Sequence, residues 1–132
     1  MNIEINKLDI KADSRGWFAE VIRAEALGKK KEFGQIHLSI AKPGQTKGKH
    51  FHKRKTEWFC VLKGKGLLKL VDKKSGEKKK MNVGDNNMLS IKISPNIWHS
   101  IENKGDEDLY LLAYISESFN PKDPDTFNEE LW

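Results

Sequence analysis

Apolar residues in this chain recur in short runs with a period of two, not in long stretches with the period of a helix. Thr56–Leu62, Gly66–Asp72, Lys78–Val83, Met88–Ile93, Ile97–Ile101 and Leu109–Ile115 are runs of this kind. Residues 2–10 (Ile3, Ile5, Leu8, Ile10) and Gln35–Ala41 extend the series towards the amino terminus. A strand sends alternate side chains to opposite faces, so each run reads as a strand. Lys63-Gly64-Lys65-Gly66 and Lys73-Lys74-Ser75-Gly76 read as glycine-containing hairpin connections. Only Ala24–Phe33 reads as a helical or loop excursion, too short and lysine-rich to form a domain. Many short strands without a long helix predict an all-β sandwich or barrel of jelly-roll type. With 132 residues the chain can bury a real core as one domain. Residues 1–132 are therefore read as a single domain, with its core at about 33–116. The Pro- and Asp-rich segment 117–132 is expected to run extended over the surface.

Composition excludes several classes. Mean hydropathy is −0.69 and no segment approaches a membrane span. The amino terminus carries no apolar region of signal type, and the single Cys60 has no partner for an internal disulfide. A cytoplasmic location is expected. Cys60 lies in the apolar run Trp58–Leu62 and reads as a buried, inert thiol. The net charge of +5 comes almost wholly from lysine, in runs such as Lys29–Lys31 and Lys78–Lys80. Such runs read as solvated faces, so no nucleic acid is expected as a partner, whereas an anionic small molecule fits the balance equally well.

The stretch that carries chemistry is Gly44–Gly64, with His50, His52 and Glu57 spaced H-x-H-x4-E. On a strand, His50 and His52 would share a face about 7 Å apart along the chain, close enough for one divalent ion. Glu57, beyond the basic turn Lys53-Arg54-Lys55, can return as an oxygen ligand, and His99 is the candidate for the fourth position. A set of three imidazoles and a carboxylate suits Zn first, with Fe, Mn and Ni as alternatives. On Gln35–Ala41 the face bearing Ile36, Leu38 and Ile40 is expected to join the core. The face bearing Gln35, His37 and Ser39 is expected to line a pocket mouth.

Gly44-x5-His50-x-His52-x4-Glu57-x6-Gly64 resembles the first conserved motif of the cupins, and Gly84–Asn103, ending His99-x3-Asn103, resembles the second. The resemblance implies that His50, His52, Glu57 and His99 are the metal ligands. The second motif departs in placing Asn96 where a turn glycine is usual. Asparagine is among the few residues that accept positive φ, so the turn is expected to survive. The octet Asp13–Glu20, D-S-R-G-W-F-A-E, resembles a segment of the deoxysugar epimerases related to dTDP-4-dehydrorhamnose 3,5-epimerase. That resemblance implies that Arg15, Phe18 and Glu20 contact the nucleotide, often across a dimer, and that Lys47 stands where an arginine binds substrate. Read from residues alone, the octet is a tight turn opening a second strand that runs to Arg23.

Across about Phe33–Glu130 the chain also resembles the C-terminal cupin domain of bifunctional capsular-polysaccharide enzymes that make UDP-N-acetyl-L-fucosamine. The implied activity is epimerisation at C3 of a nucleotide-linked 4-keto-6-deoxy sugar, in a homodimer that pairs through its N-terminal strands. No G-x-x-G-x-x-G follows a strand, so the reductase step of those enzymes would fall to a separate protein.

Such a reaction needs a base, stabilisation of an enolate and a returning proton. A ligated His50 has no lone pair left for the proton, which leaves His37, Lys47, Lys49 and Tyr114 as candidate acid–base residues. Trp98 is a candidate for stacking on the substrate. Ketoisomerase, metal-dependent oxygenase and non-catalytic sugar-binding readings remain alternatives at this point.

Overall fold

In the computed structural model of the chain, residues 1–14, 16–19, 21–22, 24–28 and 32–132 are described, with the side chains of residues 16–18, 24 and 25 outside that description. The strands are β1 (Ile3–Lys7), β2 (Lys11–Asp13), β3 (Gly16–Phe18), β4 (Gln35–Ala41), β5 (Thr46–Phe51) and β6 (Glu57–Lys63). They continue with β7 (Lys65–Asp72), β8 (Lys78–Gly84), β9 (Leu89–Ile93), β10 (Ile97–Asn103), β11 (Leu109–Ile115) and β12 (Phe127–Asn128). Two antiparallel five-stranded sheets, ordered β1-β9-β6-β11-β4 and β12-β5-β10-β7-β8, enclose the core. β2 and β3 form a separate ribbon, and Ala24–Leu27 makes one 3-10 turn. The all-β expectation holds, and the six strands anticipated between residues 56 and 115 lie within a few residues of their predicted limits.

Period-two alternation builds the core. Phe59 and Val61 from β6, Ile91 and Ile93 from β9, and Leu109, Leu111 and Ala113 from β11 face Leu68 and Leu70 from β7 and Ile97 and Ile101 from β10. At about 25 cal/mol per Å² of apolar surface removed from water, each such side chain contributes on the order of 2 kcal/mol. Asn103 closes one end from a buried position, donating through Nδ2 to the carbonyls of Ala41 (2.9 Å) and Glu107 (2.7 Å).

Four expectations are corrected here. Lys63-Gly64-Lys65-Gly66 is not a hairpin: β6 and β7 lie in opposite sheets, so the connection turns a corner between them. Gly64 takes φ 103 at that corner, and a Cβ on Gly84 would stand 2.0 Å from the Gly64 carbonyl oxygen. Lys73–Gly76 does join a hairpin, β7 to β8. Second, Ile36, Leu38 and Ile40 do not enter the core. They are 56%, 56% and 40% exposed on the outer face of β4, while Gln35, His37 and Ser39 turn inward to a cavity. Third, the tail does more than cross the surface, because β12 adds to β5 and thereby joins a sheet. The strand expected from the Asp13–Glu20 turn to Arg23 is the short β3, ending at Phe18. Asn96 has φ 65, so the asparagine does replace the turn glycine.

Candidate metal centre

Inward alternation on β10 places His99 between Ile97 and Ile101, two core residues. On β6 the same rule sets Glu57 in line with Phe59 and Val61. The two ligand candidates thus face one another from opposite sheets. His50 pairs with His99 in register across β5 and β10, and their rings meet edge-on at 4.8 Å. His52 follows just past the end of β5.

β5 is not the plain strand that the spacing implies. Its register against β10 shifts so that His99 pairs with His50 and Ser100 with Gly48, leaving Lys49 as an extra residue. Gly48 (φ 90) and Lys49 (φ 59) carry this bulge in the left-handed region, and a Cβ on Gly48 would lie 2.9 Å from the His99 carbonyl oxygen. A bulge changes the parity of a strand. Lys47 consequently shares the cavity with His50, whereas Lys49 points away and pairs with Glu130 at 3.3 Å.

His50, His52, Glu57 and His99 each offer one ligand atom, all within 4.8 Å of one another. His52 Nε2 lies 2.5 Å from Glu57 Oε1, and His99 Nε2 lies 3.6 Å from Glu57 Oε2. The other ring nitrogens are held from behind. His52 Nδ1 donates to the Asp125 carbonyl at 2.6 Å and His99 Nδ1 to the Ile97 carbonyl at 3.0 Å. These bonds place a ring proton on each Nδ1 and turn both Nε2 atoms to the cluster, the orientation expected of metal-bound histidines. His99 Nε2 is buried without a hydrogen-bond partner. A buried polar atom without a partner is costly unless something else satisfies it, and a cation supported by three imidazoles and a carboxylate would do so.

The electrostatics agree. Burial, with the neighbouring His99 and His52, pushes His50 down to about 4, and burial likewise lowers His99. Burial alone would raise Glu57, but the surrounding imidazoles of His99, His52 and His50 outweigh it and hold the carboxyl at about 2. For His52 burial works downward, and the hydrogen bond that its Nε2–H would donate to the Glu57 carboxylate, with that group's charge, reverses it to a net rise. The cluster thus presents a carboxylate and, at His50 and His99, imidazoles biased to the neutral form, whereas His52 holds a proton more readily and must release it to bind a metal.

The cluster lies in a cavity of about 230 Å³ whose walls include Gln35, His37, Ser39, Lys47, Lys55, Phe59, Phe119 and Thr126. Of the acid–base candidates, His37 and Lys47 line it, with Lys47 Nζ donating to Ser39 Oγ at 3.1 Å. Lys49 does not, for the bulge turns it outward. Tyr114 does not either: it is buried against Phe33 and Trp58, and its hydroxyl accepts from the Gly34 N–H at 3.0 Å. Trp98 is fully buried outside the cavity wall, its Nε1 donating to the Glu129 carbonyl at 2.7 Å. Arg15 and Glu20 lie outside the described residues, as does the side chain of Phe18. Cys60 is buried, and burial pushes its thiol up to about 11.

Sequence reasoning missed Asp125. Its carboxylate accepts the backbone N–H groups of Lys53 (3.0 Å), Arg54 (2.9 Å) and Lys55 (3.1 Å) while its carbonyl holds His52. It also missed Lys55, Phe119 and Thr126 as wall residues. The tail's polar composition gave no sign of inward contacts.

A family profile described as the polysaccharide biosynthesis C-terminal domain matches residues 11–127. A UDP-2-acetamido-2,6-beta-L-arabino-hexul-4-ose reductase of Pseudomonas aeruginosa is 30% identical over 116 residues, covering 88% of this chain and 30% of the relative. The crystal structure of the capsular polysaccharide assembling protein CapF from Staphylococcus aureus is similar at 35% identity and a TM-score of 0.72, covering 94% of this chain and 34% of that one. The chain therefore spans about a third of the length of these two proteins. The structure of a dTDP-4-dehydrorhamnose 3,5-epimerase from Sulfolobus tokodaii is similar at 26% identity and a TM-score of 0.80, covering 96% of this chain and 76% of that one.

Proposed function

The chain belongs to the polysaccharide biosynthesis C-terminal domain family, and from that premise we propose that it is a metal-dependent epimerase of a nucleotide-linked 4-keto-6-deoxy sugar, acting at C3. The observation that supports this most directly is the convergence of His50, His52, Glu57 and His99 on one point of a cavity large enough for a sugar ring. Those four residues would hold the ion, zinc by the chemistry of the donor set. When bound, it supplies a Lewis acid that polarises the substrate ketone and so acidifies the C3 hydrogen.

The chain's own residues do the rest. His37, on the inward face of β4, is our assignment for the base, since an imidazole free of the metal can take a proton. Lys47, anchored by Ser39, donates towards the charged part of the substrate. Arg15, Phe18 and Glu20 are assigned to the nucleotide by their motif. The ribbon β2–β3 belongs to neither large sheet, which suits a role at the site of a neighbouring copy. We extend the proposal to a homodimer in which a partner's N-terminal strands cover the apolar outer face of β4. Reduction of the product is assigned to a reductase activity, and the work to the cytoplasm, where nucleotide sugars are made.

The test is proton exchange. Metal-loaded protein incubated with UDP- and dTDP-linked 4-keto-6-deoxy sugars in D₂O should place deuterium at C3, read by NMR, without a nicotinamide. Chelation should slow exchange by orders of magnitude, the loss expected when several kcal/mol of Lewis-acid stabilisation is removed. No exchange above the spontaneous rate with either sugar would overturn the epimerase reading in favour of a sugar-binding one.

A further inference from the structure

The basic turn Lys53-Arg54-Lys55 directs its three cations differently. Lys53 Nζ lies 4.3 Å from the centre of the Phe127 ring, and Arg54 reaches outward to Glu117 (3.3 Å) and Asp123 (3.2 Å). Lys55 turns the other way. It is 3% exposed, lines the metal cavity with Glu57 and His50, and its ammonium stands 5.6 Å from the ring of Phe119, another wall residue. Among the described residues the ammonium has one hydrogen bond, to the Pro124 carbonyl at 3.0 Å, and no carboxylate pairs with it.

A lysine ammonium has three N–H donors, so two remain. Keeping such a charge out of water without a counter-ion is costly, and proteins retain it where function requires it. The position is also fixed with care: the Asp125 carboxylate accepts all three backbone N–H groups of the turn. A rigid, underpaired cation beside a metal centre calls for a negatively charged oxygen on the ligand.

We propose that Lys55 is a catalytic residue whose ammonium donates to the substrate oxygen that becomes negative as the C3 proton leaves. This rests on the epimerase reading above. In the step, His37 takes the C3 proton, the C3–H pair shifts to form the C3–C4 double bond, the C4=O pair moves onto oxygen, and Lys55 meets that charge without itself giving up a proton. An interaction that strengthens only as charge develops should lower kcat with little change in KM.

The experiment compares Lys55→Met, close in length and uncharged, with the parent protein. Deuterium incorporation at C3 should fall in kcat by about 100-fold or more, as for loss of one oxyanion donor, with zinc content unchanged and Tm equal or higher. Removal of a merely structural lysine would instead lower Tm. A second arm does not need turnover: azide is titrated into Co(II)-loaded protein and followed by its visible spectrum. Binding to Lys55→Met should be about tenfold weaker, the loss expected for one charge-assisted bond. Exchange within about threefold of the parent, or equal azide affinity, would overturn the role of Lys55. Failure of the parent itself to exchange would overturn the epimerase reading, and the azide arm would still decide whether Lys55 binds anions at the metal.

Discussion

A metal at the proposed site would compete with protons for three imidazoles, and these differ in how readily they take a proton. Glu57 raises the proton affinity of His52, whereas burial lowers that of His50 to about 4 and also lowers His99. A folded-state pKa above the ordinary 6.5 means that His52 takes a proton first as the pH falls. Zinc affinity should therefore begin to weaken near neutral pH and fall steeply only as His50 follows near pH 4. Competition with a chromophoric chelator at pH 8, 6 and 4.5 checks this; an affinity independent of pH over that range would remove these histidines from the ligand set. The four residues of the cluster were legible in the sequence, because H-x-H-x4-E and the second motif ending His99-x3-Asn103 set them apart from the remaining histidine, His37. Lys55 was not, since its neighbours made it look like part of a solvated turn. A residue's charge can be read from its letter, but its direction depends on Asp125, 70 residues away.

At the scale of elements, the alternation rule gave β6 to β11 and failed at β4 and β5 for separate reasons. β4 is an edge strand whose inward face belongs to a polar cavity, so its hydrophobic side was free to turn outward. β5 contains a bulge, and one inserted residue reverses every assignment on the far side of it. This is why Lys47 faces the cavity and Lys49 does not. Gly48 was the available signal, as a glycine inside a strand often marks a bulge. Gly48→Ala should be costly on two grounds, the left-handed φ of 90 and the 2.9 Å approach of a new Cβ to the His99 carbonyl. Urea unfolding should show a loss of about 2 kcal/mol, and zinc content should drop because β5 is pushed from β10. Undiminished stability with full zinc would mean that the bulge does not set the site. β12, two residues long, is too short for any pattern to reveal.

For the whole molecule, the outer face of β4 is the feature that a single chain leaves unfinished. Ile36, Leu38 and Ile40 stand in a row beside Phe33, which is 72% exposed. Burying this row against the N-terminal strands of a second copy would bring the ribbon β2–β3 to the neighbouring cavity. Sedimentation velocity should give twice the 15.2 kDa chain mass, and Leu38→Lys should shift the protein to monomer by placing a charge within an apolar contact. A monomeric parent at micromolar concentration would overturn the pairing. The opposite end of the molecule carries a different consequence, one of timing. Asp125 completes the support of His52 from 73 positions further along the chain, so it leaves the ribosome after all four residues of the cluster. During synthesis those residues can exist as a loose set, and the last of their support arrives with the tail.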